Sequence, residues 1–276
     1  MTKPVFVFPG CLIPARLPFI EASSRLVLDR LDVDHAPLPG ATCCVEPIGL
    51  RTMAHDTWLA SAARLLSIAE EEGRDILTLC NGCYMSLQEA RRRLQDAVLR
   101  KKVNGILREI GREYRGEVRV HHLAGFIHQL GEEKVRSVVT APINLLVAAH
   151  PGCHMLRPSE VLRMDQSFRP EMLIEVTSWT GARVVRPDDW PLCCGGGVAG
   201  VDAKLSNDML SDVIHSFSDW NAQAILTPCP FCFIQFDLKQ KEFPVLHLSE
   251  LLALSMGASP ERIGLRYHRN KLVLNI

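Results

Sequence analysis

Ten cysteines are the residues of this sequence best suited to chemistry, and they fall into two groups of five with one arrangement. Each group has an isolated cysteine, then an adjacent pair after a long interval, then a C-x-x-C motif after another. No cysteine is left over. The first group is Cys11, Cys43, Cys44, Cys80 and Cys83, and the second group is Cys153, Cys193, Cys194, Cys229 and Cys232.

Five thiols per group favour an iron–sulfur cluster over a single metal ion. Structural zinc takes four ligands, so a fifth thiolate would be surplus. Adjacent cysteines diverge and more easily reach two irons of a larger cluster than one small ion. Thiolates select zinc, copper or iron–sulfur clusters, and the compact cysteine run of ordinary ferredoxins is absent. Zinc with spare thiols, disulfides, and cysteines buried only as small apolar residues remain as alternatives.

Composition excludes some partners and indicates a cellular compartment. Lys and Arg number 31, as do Asp and Glu, so no net field attracts nucleic acid or a membrane surface. The most apolar stretch, 138–149, is too short for a membrane span and contains Pro142. No export signal is visible. We therefore expect a cytoplasmic protein, in which thiols stay reduced and serve metal binding or redox chemistry.

The elements that position the cysteines repeat as well. Short apolar runs typical of buried strands precede Cys11, Cys80, Cys153 and Cys229, and helical patterns such as 58–69 lie between them. This alternation predicts an α/β fold of two pseudo-repeated halves, built from βα units with parallel sheets. The cysteine loops are expected at the carboxyl ends of the strands. We place the halves at residues 1–139 and 140–276.

With these motifs the sequence resembles the B subunit of heterodisulfide reductase, of the CCG or cysteine-rich domain family, over essentially the whole chain. The resemblance rests on GCLIPAR (10–16), DILTLCNGCY (75–84), GCHMLRPSE (152–160), CCGGG (193–197), PFC (230–232) and PVLHL (244–248). It implies two noncubane 4Fe–4S clusters, one held by each cysteine group, facing each other across a substrate disulfide. It also implies two partners in the same complex, a ferredoxin-like C subunit and an A subunit with flavin and iron–sulfur clusters.

The expected activity is reduction of the disulfide between coenzyme M and coenzyme B, or of a related disulfide, to two thiols. This reaction needs two electrons, whereas iron–sulfur clusters usually transfer one at a time, so a pair of clusters fits it. No Rossmann fingerprint or P-loop is visible, so electrons must come from other polypeptides. One alternative is an electron-transfer component, either of a heterodisulfide-reductase-like complex of sulfur metabolism or of a succinate, fumarate or glycolate oxidoreductase. Another is a zinc scaffold without catalytic activity.

A few residues outside the cysteines are candidates for the substrate site. Arg16 and Arg157 follow the isolated cysteines closely and could bind an anionic thiol substrate, although an ion pair with a local carboxylate is an alternative. His154, next to Cys153, is a candidate proton donor. His122 and His247 occupy matching positions, which favours hydrogen bonding at a helix start over proton transfer.

Overall fold

Within the residues that this computed structural model describes, eight short strands form two parallel sheets. The structure describes residues 3–45, 49–185 and 192–272. The sheets have four strands each, in the orders β2-β1-β3-β4 and β6-β5-β7-β8, so the second half repeats the topology of the first. The strands are β1 (Val5–Phe8), β2 (His35–Pro37), β3 (Asp75–Thr78), β4 (Val120–His122), β5 (Leu146–Ala149), β6 (Arg183–Val185), β7 (Ala224–Thr227) and β8 (Val245–His247).

Helices connect successive strands, as parallel pairing requires. In the fourth helix, Trp58, Leu59, Ala62, Leu65 and Leu66 repeat at helical spacing and are fully buried, which explains both its position and its orientation. The helices are α1 (Leu12–Arg16), α2 (Pro18–Arg30), α3 (Leu50–Met53), α4 (His55–Glu71), α5 (Asn81–Arg93), α6 (Ala97–Leu107), α7 (Leu123–Leu130), α8 (Glu132–Arg136), α9 (Cys153–Leu156), α10 (Ser159–Leu162), α11 (Met172–Ser178), α12 (Ala203–Ser218), α13 (Pro230–Lys239) and α14 (Leu248–Ser255), with single 3₁₀ turns at Arg108–Ile110 and Leu265–Tyr267.

The central strands are covered on both faces. All four residues of β1, β3 and β7 are buried, which is why apolar and polar residues do not alternate along these strands; apart from Asp75, Thr78 and Thr227 their residues are apolar. In each sheet the strand that leads to the isolated cysteine pairs with the strand that leads to the C-x-x-C motif, β1 with β3 and β5 with β7. The predicted α/β architecture with two repeated halves is confirmed.

The two sheets share an apolar core. One cluster of buried residues contains side chains of β1 and α2 together with side chains of β5, β7 and α14. Helices α2 and α14 pack against each other, and Ser23 Oγ lies 2.7 Å from Ser249 Oγ across this contact. The exact boundary at 139/140 stays a prediction. None of the helices in the described ranges combines the length and apolar composition that a bilayer-spanning segment requires.

Candidate metal centres

The cysteines lie where parallel sheets place functional loops, at the carboxyl ends of strands. Cys11 follows β1, and Cys80 follows β3 as the residue that begins α5. In the second half Cys153 follows β5, and Cys229 follows β7 as the residue that begins α13. Because β1 neighbours β3 and β5 neighbours β7, residues far apart in the chain meet at one edge of each sheet.

The first group converges as the sequence predicts. Cys43 Sγ lies 3.6 Å from Cys11 Sγ, and Cys44 Sγ lies 3.3 Å from Cys83 Sγ. The thiols of Cys80 and Cys83 lie close enough to interact, which contributes to the raised pKa of Cys83. Disulfide sulfurs lie about 2.05 Å apart, and all five of these cysteines are free. The thiols therefore form one open donor set.

The second group repeats this arrangement. Cys194 Sγ lies 3.3 Å from Cys232 Sγ, and the thiol of Cys153 contacts that of Cys193. All five cysteines of this group are free, and all five line one pocket of about 270 Å³. In both groups the second cysteine of the adjacent pair and the C-x-x-C cysteines are buried, whereas the other two are more exposed. In each group, therefore, three cysteines face the protein interior and two lie nearer the solvent.

The two groups meet at one point. The thiols of Cys80 and Cys229, one from each half, lie close enough to interact, and this interaction raises the pKa of Cys80 and lowers that of Cys229. Asn81, which follows Cys80, donates from Nδ2 to Pro151 O at 2.7 Å and lines the pocket of the second group together with Gly82. The two halves therefore hold their donor sets side by side.

Crowding of the sulfurs shifts their pKa values in opposite directions. In the second group, hydrogen bonds with Cys153 and Cys194 lower the pKa of Cys193 to about 2. The hydrogen bond with Cys193 in turn raises the pKa of Cys194 to about 12. In the first group the hydrogen bond with Cys44 raises the pKa of Cys83. Several thiolates can coexist in such a group only if positive charge lies among them, and bound metal ions supply that charge.

The donor sets fit a centre with several metal ions. Two thiolates on one tetrahedral ion at about 2.3 Å lie about 3.8 Å apart, close to the 3.3 to 3.6 Å between neighbouring sulfurs here. A single ion uses four ligands and fills the space between them, whereas the second group offers five sulfurs around a pocket. Thiolate-rich sets of this kind suit iron–sulfur clusters.

One residue of the second group's surroundings was not singled out from the sequence. His150 places a ring nitrogen within 4.8 Å of the sulfurs of Cys194 and Cys232, and the three residues could hold a metal ion. Burial lowers the pKa of His150 to about 4. Its position three residues before Cys153, where the first half has Phe8 before Cys11, is the sequence signal that could have revealed it.

His122 and His247 have the structural role predicted for them. Each begins a helix, α7 or α14, and accepts a backbone N–H through its side chain, from Ala124 and from Ser249 respectively. Both rings are buried, which lowers the pKa of His122 to about 4 and that of His247 to about 3. These neutral imidazoles cap helices, as the matching positions suggested.

The three candidate substrate residues lie in different places. His154 lines the pocket of the second group, with Nδ1 3.7 Å from Cys153 Sγ. Arg157 packs its guanidinium over the ring of Phe168 and donates to Ser167 O at 3.4 Å. Arg16 lines a separate cleft. The structure thus brings only His154 to the cysteines, and substrate binding by any of the three stays a prediction.

Comparison with known proteins gives two kinds of match. The CCG cysteine-rich domain family matches residues 5–88 and 147–237, one segment in each half. A crystal structure of a hypothetical protein from Helicobacter pylori has the same fold, with a TM-score of 0.74 at 14% identity; the match covers 99% of this chain and 53% of that one, so this chain spans about half of that protein.

Several curated proteins match along nearly their whole length. The B subunit of the ferredoxin/F(420)H(2)-dependent CoB-CoM heterodisulfide reductase of Methanosarcina acetivorans is 40% identical over 94% of this chain and 91% of that protein. The corresponding component of the Methanosarcina mazei ferredoxin:CoB-CoM enzyme is 38% identical over the same shares. The membrane anchor subunit of 8-methylmenaquinol:fumarate reductase of Wolinella succinogenes is 29% identical over 97% of each chain. The chain therefore belongs to the CCG cysteine-rich domain family, with the B subunit of heterodisulfide reductase, an oxidoreductase, among its relatives.

Proposed function

We propose that this chain is the catalytic iron–sulfur component of a heterodisulfide reductase. In this proposal residues 1–139 and 140–276 each hold one noncubane 4Fe–4S cluster through their five cysteines. The substrate is the disulfide between coenzyme M and coenzyme B or a related one. The observation that carries the proposal is that the two five-sulfur donor sets are neighbours: Asn81, next to Cys80, donates to Pro151 O and lines the pocket of the second group, and the thiols of Cys80 and Cys229 lie close enough to interact. The identity to the heterodisulfide reductase relatives supports the choice of substrate.

The chain's own residues would divide the work as follows. The cysteines bind the clusters, which when bound supply one electron each to a reaction that needs two. The buried cysteines of each group keep water from the inner side, and the exposed ones leave an open side for a small molecule. His154 lies beside Cys153 on the pocket, and in this proposal it delivers a proton to a product thiolate, which becomes the thiol. Arg16 and Arg157 remain candidates for binding an anionic substrate.

Electrons must reach these centres from outside the chain. The proposed donors are a ferredoxin-like C subunit and an A subunit that carries flavin and iron–sulfur clusters, in a cytoplasmic complex. The two Methanosarcina relatives are named as B subunits of enzymes that use ferredoxin. These names support an electron donor and further subunits outside this chain.

Metal analysis and an activity assay test the proposal together. The complex is purified without oxygen, and iron, zinc and acid-labile sulfide are counted per chain. About eight irons are expected from two four-iron clusters. Reduction of the coenzyme M–coenzyme B disulfide is then followed with reduced benzyl viologen as the electron donor. Zinc near two per chain without sulfide would contradict the cluster assignment, and an inert complex with full iron would contradict the reductase assignment.

Single substitutions assign the clusters to the halves. Cys44→Ala and Cys194→Ala should each remove about half of the iron, because each deletes a buried ligand of one group. Thr42→Ala is the matched control, since Thr42 is an exposed neighbour of the adjacent pair and is not a proposed ligand. Full iron in both cysteine variants would exclude the adjacent pairs as ligands.

The Wolinella relative favours a second candidate function. Its name assigns it to a fumarate reductase, and it matches this chain over 97% of its length. The second candidate is therefore an electron-transfer component of such an oxidoreductase. In that case both clusters would be present and would be reduced by the partner proteins, but no disulfide would be consumed.

A further inference from the structure

His150 is held rigidly beside the second cysteine group. Its backbone N–H donates to Leu226 O at 2.7 Å, which fixes it at the end of β5. The ring is 1% exposed and packs edge-on against Phe236, with centroids 4.9 Å apart at 83°, and against Phe217. A side chain so confined has little freedom to turn away from Cys194 and Cys232.

This ring has a buried nitrogen without a partner in the described part of the chain, as do the helix-capping rings of His122 and His247. Nε2 has no hydrogen-bond partner among the described residues, although buried polar atoms are almost always paired. A ring nitrogen lies within 4.8 Å of the sulfurs of Cys194 and Cys232. An imidazole carries at least one N–H in either protonation state. The sulfurs of Cys194 and Cys232 are therefore candidate acceptors for a ring N–H of His150.

The first half has no such donor at the corresponding position. Phe8 ends β1 three residues before Cys11, as His150 follows β5 three residues before Cys153. Phe8 is fully buried in the same apolar cluster as the buried cysteines of the first group. A phenyl ring offers no N–H. The two halves therefore differ at this position: the second cysteine group has a histidine beside it, and the first has a phenylalanine.

We infer that His150 donates its ring N–H to a ligand sulfur of the second centre, from Cys194 or Cys232, and so makes the two centres unequal in reduction potential. The inference rests on the proposed function, because it requires a cluster in each half. A hydrogen bond to a cluster sulfur stabilises the more negative, reduced state, and it therefore raises the potential of that cluster. The second centre is then the better electron acceptor, so the first electron reduces the cluster that residues 140–276 hold.

Redox titration followed by EPR tests this inference. In a Cys44→Ala background, in which the second centre alone is expected, the midpoint potential is measured with His150, His150→Phe and His150→Gln. His150→Phe copies the first half, and the midpoint should fall. His150→Gln keeps an N–H donor, and part of the shift should be restored. An unchanged midpoint in His150→Phe with full iron would overturn the inference.

Two further measurements separate the possible failures. The same His150→Phe change in a Cys194→Ala background, which retains the first centre, should leave the midpoint unchanged; an equal fall there would refute a local hydrogen bond. Pulsed EPR of the unsubstituted complex should detect a weakly coupled exchangeable proton and a weakly coupled histidine nitrogen. Strong nitrogen coupling would show a direct metal bond and overturn the donor role, as would absence of both couplings. If the unsubstituted complex binds no iron, the proposed function itself fails.

Discussion

Gly10 sits between β1 and Cys11, where an added methyl group would displace a proposed cluster ligand. Its φ is +71°, and a Cβ at this position would lie 2.6 Å from Cys83 Sγ. That distance is about 0.8 Å shorter than the 3.4 Å at which ordinary contact begins. Metal–ligand distances tolerate changes of only about 0.2 Å. Gly10→Ala should therefore remove Cys83 from the first centre.

The change also carries a backbone cost that must be separated from the clash. An alanine in the left-handed region costs about 1–2 kcal/mol. Gly73 supplies the control, because its φ is +66° and a Cβ there would meet no atom within 4 Å. Gly73→Ala should show the backbone cost alone. The gain from a less flexible unfolded chain is the same for both variants and cancels in the comparison.

Iron content and urea unfolding of the purified complexes distinguish the two effects. We expect Gly73→Ala to keep about eight irons per chain and to lose about 1–2 kcal/mol of unfolding free energy. Gly10→Ala should lose about half of its iron, with the EPR signal of the second centre intact. Full iron in Gly10→Ala, with the same stability as Gly73→Ala, would refute the close approach of this backbone to the cluster ligand.

Three further predictions concern the contacts around the site. Gly152→Ala would place a Cβ 2.5 Å from Asn81 Nδ2 and should lower the iron content of the second centre, measured against Gly111→Ala, which has a similar φ and an open surrounding. Asn81→Ala removes the 2.7 Å hydrogen bond to Pro151 O and should cost about 1–3 kcal/mol of unfolding free energy in urea; a loss below about 0.3 kcal/mol would contradict a link between the halves. Burial opposes protonation of His268, but its hydrogen bond with Glu250 prevails and raises its pKa. A raised pKa contributes stability below about pH 6.5 that is lost as pH rises through the folded-state value. Urea unfolding from pH 6 to 9 should show this loss, and a His268→Gln variant with the same pH dependence would exclude the histidine as its source.

The sequence by itself predicted the repeat and the fold class, and it divided the cysteines into the two proposed donor sets. Short apolar runs that end at cysteines and alternate with helical patterns predicted parallel strands with functional loops at their carboxyl ends, and in the structure β1, β3 and β7 are buried throughout. The spacing in α4 fixed its buried face, and the matching positions of His122 and His247 indicated their capping role. These features are local, because strand and helix periodicity and helix caps depend on residues a few positions apart.

Only the tertiary structure decided which donors meet. The contact of Cys80 with Cys229 and the approach of His150 to Cys194 join residues that are far apart in the chain. Its spacing from Cys153 also made Arg157 a candidate for the substrate site. In the structure its guanidinium packs over the ring of Phe168, and substrate binding by Arg157 stays a prediction. Such contacts depend on sheet order and on the packing of one half against the other. Sequence periodicity cannot predict these contacts, because it reflects only residues a few positions apart, whereas long-range neighbours depend on how the whole core packs.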